Sequence, residues 1–132
     1  MILIVCVDDH NGMMFNHRRQ SQDRVLRADI LELTDGKKLW MNAYSRKQFA
    51  ESDAEKIRVD ETFLDAAGDG EFCFVENADV SGCVERIEEI YLYRWNRDYP
   101  AEVYFPVDLS VWKCVETKEF AGSSHEKITR ER

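Results

Sequence analysis

Short apolar runs that alternate with helical segments are the feature that most constrains this fold. The first run, ILIVCV at residues 2–7, is continuous and rich in β-branched residues, which is typical of a strand buried on both faces of a sheet. The following segment, SQDRVLRADILELTDG, has apolar residues at helical spacing and ends at Gly36. Strands and helices keep alternating as far as IYLYRW, and this order predicts a mostly parallel sheet with helices on both faces.

The boundaries of the remaining elements follow from capping residues and turn residues. In the first helix we expect Ser21 to be the N-cap and Asp23 to lie in the first turn. The strand KKLWMNAYS should end at Ser45, which would cap a helix over RKQFAES. The predicted strands KIRVD and EFCFVEN flank a short helix over DETFLDAAGDG, and VSGCVERIEE predicts another short helix. Three further strands, EVYFPVD, WKCVETKEF and HEKITRER, have no helix between them, and the last two predict an antiparallel hairpin around AGSS.

Length and composition fit one domain over residues 1–132, with 44% hydrophobic and 33% charged residues. A formal net charge of -8 argues against nucleic acid as the main partner, because binding a phosphate backbone needs a concentrated basic surface. No run approaches the roughly 20 apolar residues of a membrane-spanning helix, and the N-terminus has no basic leader, so we expect a cytoplasmic protein. No cysteines form a C-x-x-C pair; we expect all four to be reduced and buried: Cys6, Cys73, Cys83 and Cys114.

The positive charges cluster in two stretches, and both contribute to a candidate ligand-binding cleft at the carboxyl edge of the sheet. Its expected members are Arg18, Arg19, Gln20, Asp23, Arg94, Trp95, Asn96 and His125. Each also has a simpler interpretation as a capping, solvated or edge-strand residue. If Asp23 is only a first-turn residue, its charge would contribute about 0.3 to 1 kcal/mol to the free energy of unfolding. Serine, histidine and glutamate in SSHE are adjacent, and by themselves cannot form a catalytic triad. The sequence identifies no catalytic residue.

Several segments, in their order and spacing, resemble the dihydrofolate reductase family over nearly the whole chain. VDDHNGMMFN is similar to the first strand and mobile loop of that family, and SQDRVL to the helix that carries its active-site carboxylate. FCFVENADVSGCVERIEEIYLYRW resembles the strand, cofactor loop, helix and strand of the second half, and EVYFPVDLSVWKCVETKEF resembles the late strands. The resemblance implies a three-layer α/β fold with a C-terminal hairpin, and it implies that Asp23 is the carboxylate that binds a pterin.

Two departures from the family pattern concern the cofactor NADPH. The family has glycines after the strand that here reads FCFV, so that the backbone can approach the diphosphate, whereas this chain has Glu76, Asn77 and Ala78. The family also has a Gly-Arg pair after the second strand, where this chain has Asn42 and Ala43. We therefore expect no NADPH binding, no other cofactor and no reductase activity.

A second resemblance is to small Firmicute proteins that carry the label ribonuclease Z, through FNHRRQSQD, LWMNAYS, LYRWNR and FAGSSHEKIT. That enzyme needs a His-x-His-x-Asp-His cluster for two zinc ions. The three histidines of this chain, His10, His17 and His125, are far apart, so the residues do not support the label or an RNA-processing role, and we expect no bound metal.

Two hypotheses of different classes remain. In the first, the chain is a bacterial pseudoenzyme whose remaining cleft binds a small planar ligand, a pterin or a nucleotide. In the second, it is an acidic protein-interaction or inhibitor module on the same scaffold. A shared concave pocket for the candidate residues would favour the first.

Overall fold

The computed structural model describes residues 1–49 and 56–132. Its elements follow one another in this order: β1 Ile2–Val7, β2 Gly12–Phe15, β3 Arg18–Arg19, α1 Arg24–Leu33, β4 Leu39–Met41, α2 Ala43–Arg46, β5 Ile57–Val59, α3 Phe63–Ala66, β6 Phe72–Val75, β7 Glu89–Arg94, β8 Val103–Tyr104, β9 Thr117–Phe120 and β10 Ile128–Glu131. Short 3-10 helices span Lys47–Phe49, Ser81–Arg86 and Leu109–Val111.

The main sheet has seven strands in the order β5-β4-β6-β1-β7-β10-β9. The first strand lies at its centre, parallel to β6 on one side and to β7 on the other, as its continuous apolar run predicts. Strand β4 is parallel to both β5 and β6. The last strand is antiparallel to β7 and β9, which confirms the predicted C-terminal hairpin and the mixed, mostly parallel sheet.

A second, three-stranded sheet in the order β3-β2-β8 was not predicted. Residues 11–20 read as a loop in sequence, but β2 pairs antiparallel with both β3 and β8. The turn between β2 and β3 has two residues with positive φ, Asn16 at 53° and His17 at 60°. The expected strand over EVYFPVD is only two residues long and belongs to this small sheet instead of the main one.

The main sheet buries apolar side chains on both faces. Alternate residues of β7 separate the two sides: Ile90 and Leu92 belong to one core cluster, and Tyr91 and Tyr93 belong to the other. Helix α1 packs on the second face through Leu26 and other apolar residues at helical spacing. This arrangement confirms the three-layer α/β fold class.

Two predicted helix caps are wrong by two or three residues. Asp23, and not Ser21, is the N-cap of α1: its φ is -153° and its side chain accepts from two backbone N–H groups of the first turn. Asn42, and not Ser45, caps α2, and its side chain accepts from the Ser45 N–H at 3.1 Å. Serine caps helices about as well as Asp and Asn, and the two observed caps are the residues whose side-chain oxygens reach free backbone N–H groups of the first turn. Residues 50–52 of the predicted helix lie outside the described residues, and the segment over VSGCVERIEE forms a 3-10 helix.

The expectation that all four cysteines are buried is also corrected. Cys73 is buried, Cys6 and Cys83 are half-buried, and Cys114 is exposed. The segment around Cys114 reads as strand-like in sequence, but β9 begins three residues later, at Thr117. Within the described ranges, no helix is long and apolar enough to cross a membrane.

Candidate functional site

The parallel strands of the main sheet bring polar side chains together where their carboxyl ends meet. Asp8 follows β1, Glu76 follows β6 and Trp95 follows β7, while the N-terminus of α1 brings Asp23 to the same edge. We call Arg19, Gln20, Asp23, Glu76, Trp95 and His125 the carboxyl-edge cluster. Five of these six were predicted as site residues.

Asp23 is buried, and hydrogen-bond donors surround both oxygens of its carboxylate. The donors to Oδ1 are the backbone N–H groups of Val25 at 2.9 Å, Leu26 at 3.2 Å and Ser123 at 3.0 Å. The donors to Oδ2 are the backbone N–H of Ser124 at 2.8 Å, its hydroxyl at 3.0 Å and ring Nδ1 of His125 at 3.1 Å. Since a carboxylate offers about four lone-pair sites, these donors use its capacity in full. Asp23 therefore clamps the loop before β10 onto the start of α1.

The pKa of Asp23 reflects this environment. Burial alone raises the pKa of a carboxyl group, but the N–H groups of Ser123 and Ser124, with the His125 ring, hold the pKa of Asp23 well below its ordinary value. The carboxylate stays ionised at neutral pH. The loop that contains Gly122 lies so close to Asp23 that it has no room for a larger residue. A Cβ at Gly122 would contact Oδ2 of Asp23 and lie 2.9 Å from the Ile128 methyl group.

His125 was considered either a cleft residue or an edge-strand residue, and the structure places it in a buried loop against Asp23. With its proton on Nδ1, the ring donates to Asp23 while Nε2 accepts from the hydroxyl of Tyr99 at 2.9 Å or of Ser21 at 3.2 Å. The ring also stacks on Trp95 with centroids 4.5 Å apart. Asp23 and His125 are thus in contact although they are 102 positions apart in sequence. The neighbours of His125 within SSHE do not indicate this contact.

The Ser21, His125 and Asp23 side chains have the connectivity of a hydrolase triad, but the surroundings do not supply its other requirements. The nearer partner of His125 Nε2 is the Tyr99 hydroxyl, so Ser21 competes for the base. The void beside Ser21 has a volume of about 10 Å³, room for about one water molecule. In this conformation the three residues form a structural clamp.

Arg19 and Glu76 form an ion pair in the position where the resemblance would have placed glycines. The guanidinium donates to both Glu76 oxygens, from Nε at 2.8 Å and from Nη2 at 3.2 Å, and lies over the Tyr44 ring at 4.5 Å. Glu76 is only 8% exposed and also accepts from Ser45 Oγ at 2.8 Å and from Gln48 Nε2 at 3.2 Å. Four donor contacts make this carboxylate part of the packing, so it is not free to rotate away.

Gln20 fills part of the remaining space at the carboxyl edge of the main sheet. Its Nε2 donates to Asp8 Oδ2 at 2.9 Å, and its Oε1 is buried without a hydrogen-bond partner in the described structure. The void of about 10 Å³ is lined by Arg19, Gln20, Ser21, Glu76 and Trp95 among others. Small-molecule sites usually have roughly 300 to 1,000 Å³. The centre of the predicted cleft is therefore filled by the chain itself.

Of the other three predicted site residues, Arg94 and Arg18 lie apart from this cluster, whereas Asn96 lines a hollow of about 370 Å³ together with Trp95 and His125. Arg94 points to the opposite face of β7, where it pairs with Glu131 and donates to Asn11 Oδ1 at 3.1 Å. Asn96 donates to Thr129 Oγ1 at 2.9 Å and acts as a turn residue with φ of 58°. Arg18 is exposed on β3.

An open groove of about 580 Å³ lies beside the closed cluster, along the start of α1. We call it the α1 groove; its lining is Arg19, Gln22, Asp23, Arg24, Arg27, Lys47, Gln48, Ser123 and Ser124. Arg24, Arg27 and Lys47 form no ion pair within residues 1–49 and 56–132. The surface is therefore positive although the chain carries a net charge of -8. The sequence shows the cluster of positive charge in this stretch, but Lys47 was missed because it follows in a different helix.

Among the described residues, no three His, Cys, Asp or Glu side chains are grouped as ligands of a metal ion would be. His10 instead contacts Asp98 at 3.0 Å on the surface, and His17 lies in the turn between β2 and β3. The absence of bound zinc stays a prediction.

Comparison with known proteins shows the fold. No protein family and no curated protein matches the sequence. Among solved structures, a dihydrofolate reductase from Enterococcus faecalis, complexed with NADP(H) and RAB-propyl, is similar with a TM-score of 0.66 and 11% sequence identity. The match covers 99% of this chain and 95% of that one. The dihydrofolate-reductase-like fold is thus confirmed, and at 11% identity the similarity concerns the fold alone.

Proposed function

We propose that this chain binds a nucleotide, a ligand with a planar base and an anionic phosphate, in the α1 groove, and that it does so without NADPH and without reductase chemistry. The observation that carries the proposal is the set of three cations around one concave surface, Arg24, Arg27 and Lys47, which have no ion-pair partner within the described part of the chain. Guanidinium and ammonium groups are the usual ligands of phosphate oxygens.

The hydrogen bonds of Asp23 favour a nucleotide over a pterin. A pterin would need this carboxylate to accept from its guanidine-like edge. Six donor contacts from the protein already surround the two oxygens, so a pterin would have to displace the Ser123–Ser124 loop. A phosphate group needs no such rearrangement, because the cations Arg24, Arg27 and Lys47 line the groove outside the Ser123–Ser124 loop.

The Arg19–Glu76 pair supports the part of the proposal that concerns NADPH. Glu76 fills the place after β6 where the resemblance would put glycines that let a diphosphate approach, and donors from three side chains hold it there: Arg19, Ser45 and Gln48. A fold of this kind without a hydride donor cannot reduce dihydrofolate.

The test is calorimetric titration of the intact chain with AMP and, separately, with inorganic phosphate. We expect saturable AMP binding that falls at least about tenfold in the double variant Arg24→Met with Lys47→Met, since each phosphate contact contributes about 1 kcal/mol or more. Lys37→Met, which removes an exposed lysine outside the groove, is the matched control and should leave affinity unchanged.

Two results would contradict the proposal. Absence of AMP and phosphate binding would remove the ligand hypothesis and favour the interaction-module alternative. Oxidation of NADPH on addition of dihydrofolate would contradict the absence of reductase chemistry, whatever the outcome with AMP.

A further inference from the structure

A second cavity lies on the face of the main sheet opposite to helix α1. It has a volume of about 410 Å³, and its floor is formed by the Ile90 and Leu92 side of β7 together with the neighbouring β10. The segment from Leu109 to Val115 forms its wall. We call this cavity the β7–β10 pocket. None of the candidate residues of the sequence except Arg94 lines it.

The apolar part of the lining is continuous with the core. Ile90 and Leu92 are buried members of the core cluster on that face, and Leu109 and Trp112 pack against the same cluster. The wall is fixed at its end by two backbone hydrogen bonds, from Val115 N to Arg132 O and from Arg132 N to Glu116 O, both 2.9 Å. The pocket is therefore preformed, as sites for small apolar ligands usually are.

Most charged side chains at the rim of the pocket form ion pairs, and one positive charge is left without a partner in the described residues. Glu89 pairs with Arg132 at 2.6 Å, and Glu131 pairs with Arg94. Glu88, the third carboxylate, accepts from the Met1 amino group at 2.6 Å. Lys113 lines the pocket and forms no ion pair within residues 1–49 and 56–132. The pocket thus combines apolar walls with one cation that has no counter-charge.

We infer that the β7–β10 pocket binds an apolar monocarboxylate, with its hydrocarbon body against Ile90, Leu92 and Trp112 and its carboxylate beside Lys113. Burial of the hydrocarbon supplies most of the affinity, at roughly 25 cal/mol per Å² of apolar surface removed from water. The lysine supplies the preference for an anion over a neutral molecule of the same length.

The test uses decanoate, below the concentration at which it forms micelles, and decanol as its neutral analogue. We expect decanoate to bind at one site per chain, and Lys113→Met to weaken its affinity about fivefold, the equivalent of about 1 kcal/mol for an exposed charge pair. The same change should leave decanol affinity unaltered. Lys37→Met, far from this pocket, is the matched control.

Cys114 gives a second readout, the rate at which its thiol is alkylated. It is exposed and lines the cavity, so bound decanoate should slow its alkylation by N-ethylmaleimide, and Cys114→Ser identifies its share of the reaction. Val115 is 65% exposed, so Val115→Asp should fold normally and abolish decanoate binding by adding a carboxylate to the wall.

Each alternative outcome overturns a stated part. No saturable binding, or an unchanged Cys114 alkylation rate at saturating decanoate, overturns the pocket as a site. Equal affinity for decanoate and decanol, or unchanged decanoate affinity in Lys113→Met, overturns the anionic ligand. Neither result concerns AMP, so the α1 groove is tested independently.

Discussion

Strand β7 borders two regions that differ in how their charges are neutralised. At the carboxyl edge, beyond Trp95, buried carboxylates bond to groups of the same chain: Glu76 to Arg19 and Asp23 to His125. Only about 10 Å³ of space is left between Gln20, Glu76 and Trp95. Beside Ile90 and Leu92, on the other face of the strand, a pocket of about 410 Å³ keeps apolar walls and one lysine without an ion pair within the described ranges.

Similarity of fold and availability of a binding site are therefore separate properties. The dihydrofolate-reductase-like topology brings polar side chains to the carboxyl edge, but in this chain those side chains complete one another's hydrogen bonds. Open surfaces lie around it: the α1 groove, the hollow of about 370 Å³ beside Asn96 and the β7–β10 pocket. Stability should therefore depend strongly on the closed edge and weakly on the open surfaces.

The largest expected effect is the loss of stability in acid, because it involves three buried carboxyl groups at once. Burial opposes ionisation of Asp8, Asp23 and Asp29, but hydrogen bonds and, for Asp29, Arg130 hold the pKa of each below its ordinary value. Their folded-state pKa values lie below the unfolded value of about 3.9, so their contribution is complete above that pH and is lost as the pH falls through the folded values.

Urea unfolding at about pH 7, 5 and 3 measures this effect. The free energy of unfolding should change little between the first two values and fall steeply between the last two. Asp23→Asn should reduce that slope. A free energy that is flat down to about pH 3 would mean that these carboxyl groups are not clamped as the structure shows.

The next largest effect is expected from Asp23→Asn at neutral pH. Removing a buried charge that faces a histidine and the N–H groups of α1 should lower the free energy of unfolding by about 3 kcal/mol. Asp9→Asn is the matched control, since Asp9 is exposed next to β1 and should cost less than about 0.5 kcal/mol. A loss below about 1 kcal/mol for Asp23→Asn would agree instead with the helix-dipole role that the sequence suggests.

The sequence predicts the main sheet well because its signals are local. The apolar run of β1, the helical spacing of α1 and the turn around AGSS each fix an element within a few residues. The small sheet escapes such reasoning, since β2 has four residues and its partner β8 has two, about 90 positions later. Neither strand carries a local pattern that indicates a partner at this distance in sequence.

The candidate site shows the same limit. Residue types at the strand ends identified Arg19, Gln20, Asp23, Trp95 and His125 correctly as neighbours, but not which of them bond to each other. The Arg19–Glu76 pair joins residues 57 positions apart and turns a residue expected only to repel phosphate into the partner of the predicted ligand-binding arginine. Two opposite charges in one cleft can either bind a ligand or form an ion pair with each other. Which of the two occurs depends on the distance between the charged groups, and the sequence does not give that distance.

A double-mutant cycle on Arg19 and Glu76 tests whether their ion pair stabilises the closed carboxyl edge. Glu76→Gln and Arg19→Met should each lower the free energy of unfolding by about 2 kcal/mol, and the double variant should lose less than the sum by about 1 kcal/mol or more. Arg18→Met, one residue earlier and exposed, is the control and should change stability by less than about 0.5 kcal/mol. Strict additivity would show that the two side chains stabilise the edge separately.

The smallest expected effect is a gain, and it comes from the turn that joins β2 to β3 beside the closed edge. His17 has a φ of 60°, which costs a residue with a Cβ about 1 kcal/mol, whereas glycine adopts it freely. His17→Gly should therefore raise stability by about 0.5 kcal/mol after the added entropy of the unfolded chain, or about 2 °C in melting temperature. Asn16→Gly is the control, because asparagine tolerates its φ of 53° and should gain less. Decanoate affinity should be the same in both variants as in the unaltered chain, since the turn does not line the β7–β10 pocket. A lower melting temperature for His17→Gly would show that the histidine side chain holds the turn, and that the closed edge extends to the tip of the hairpin.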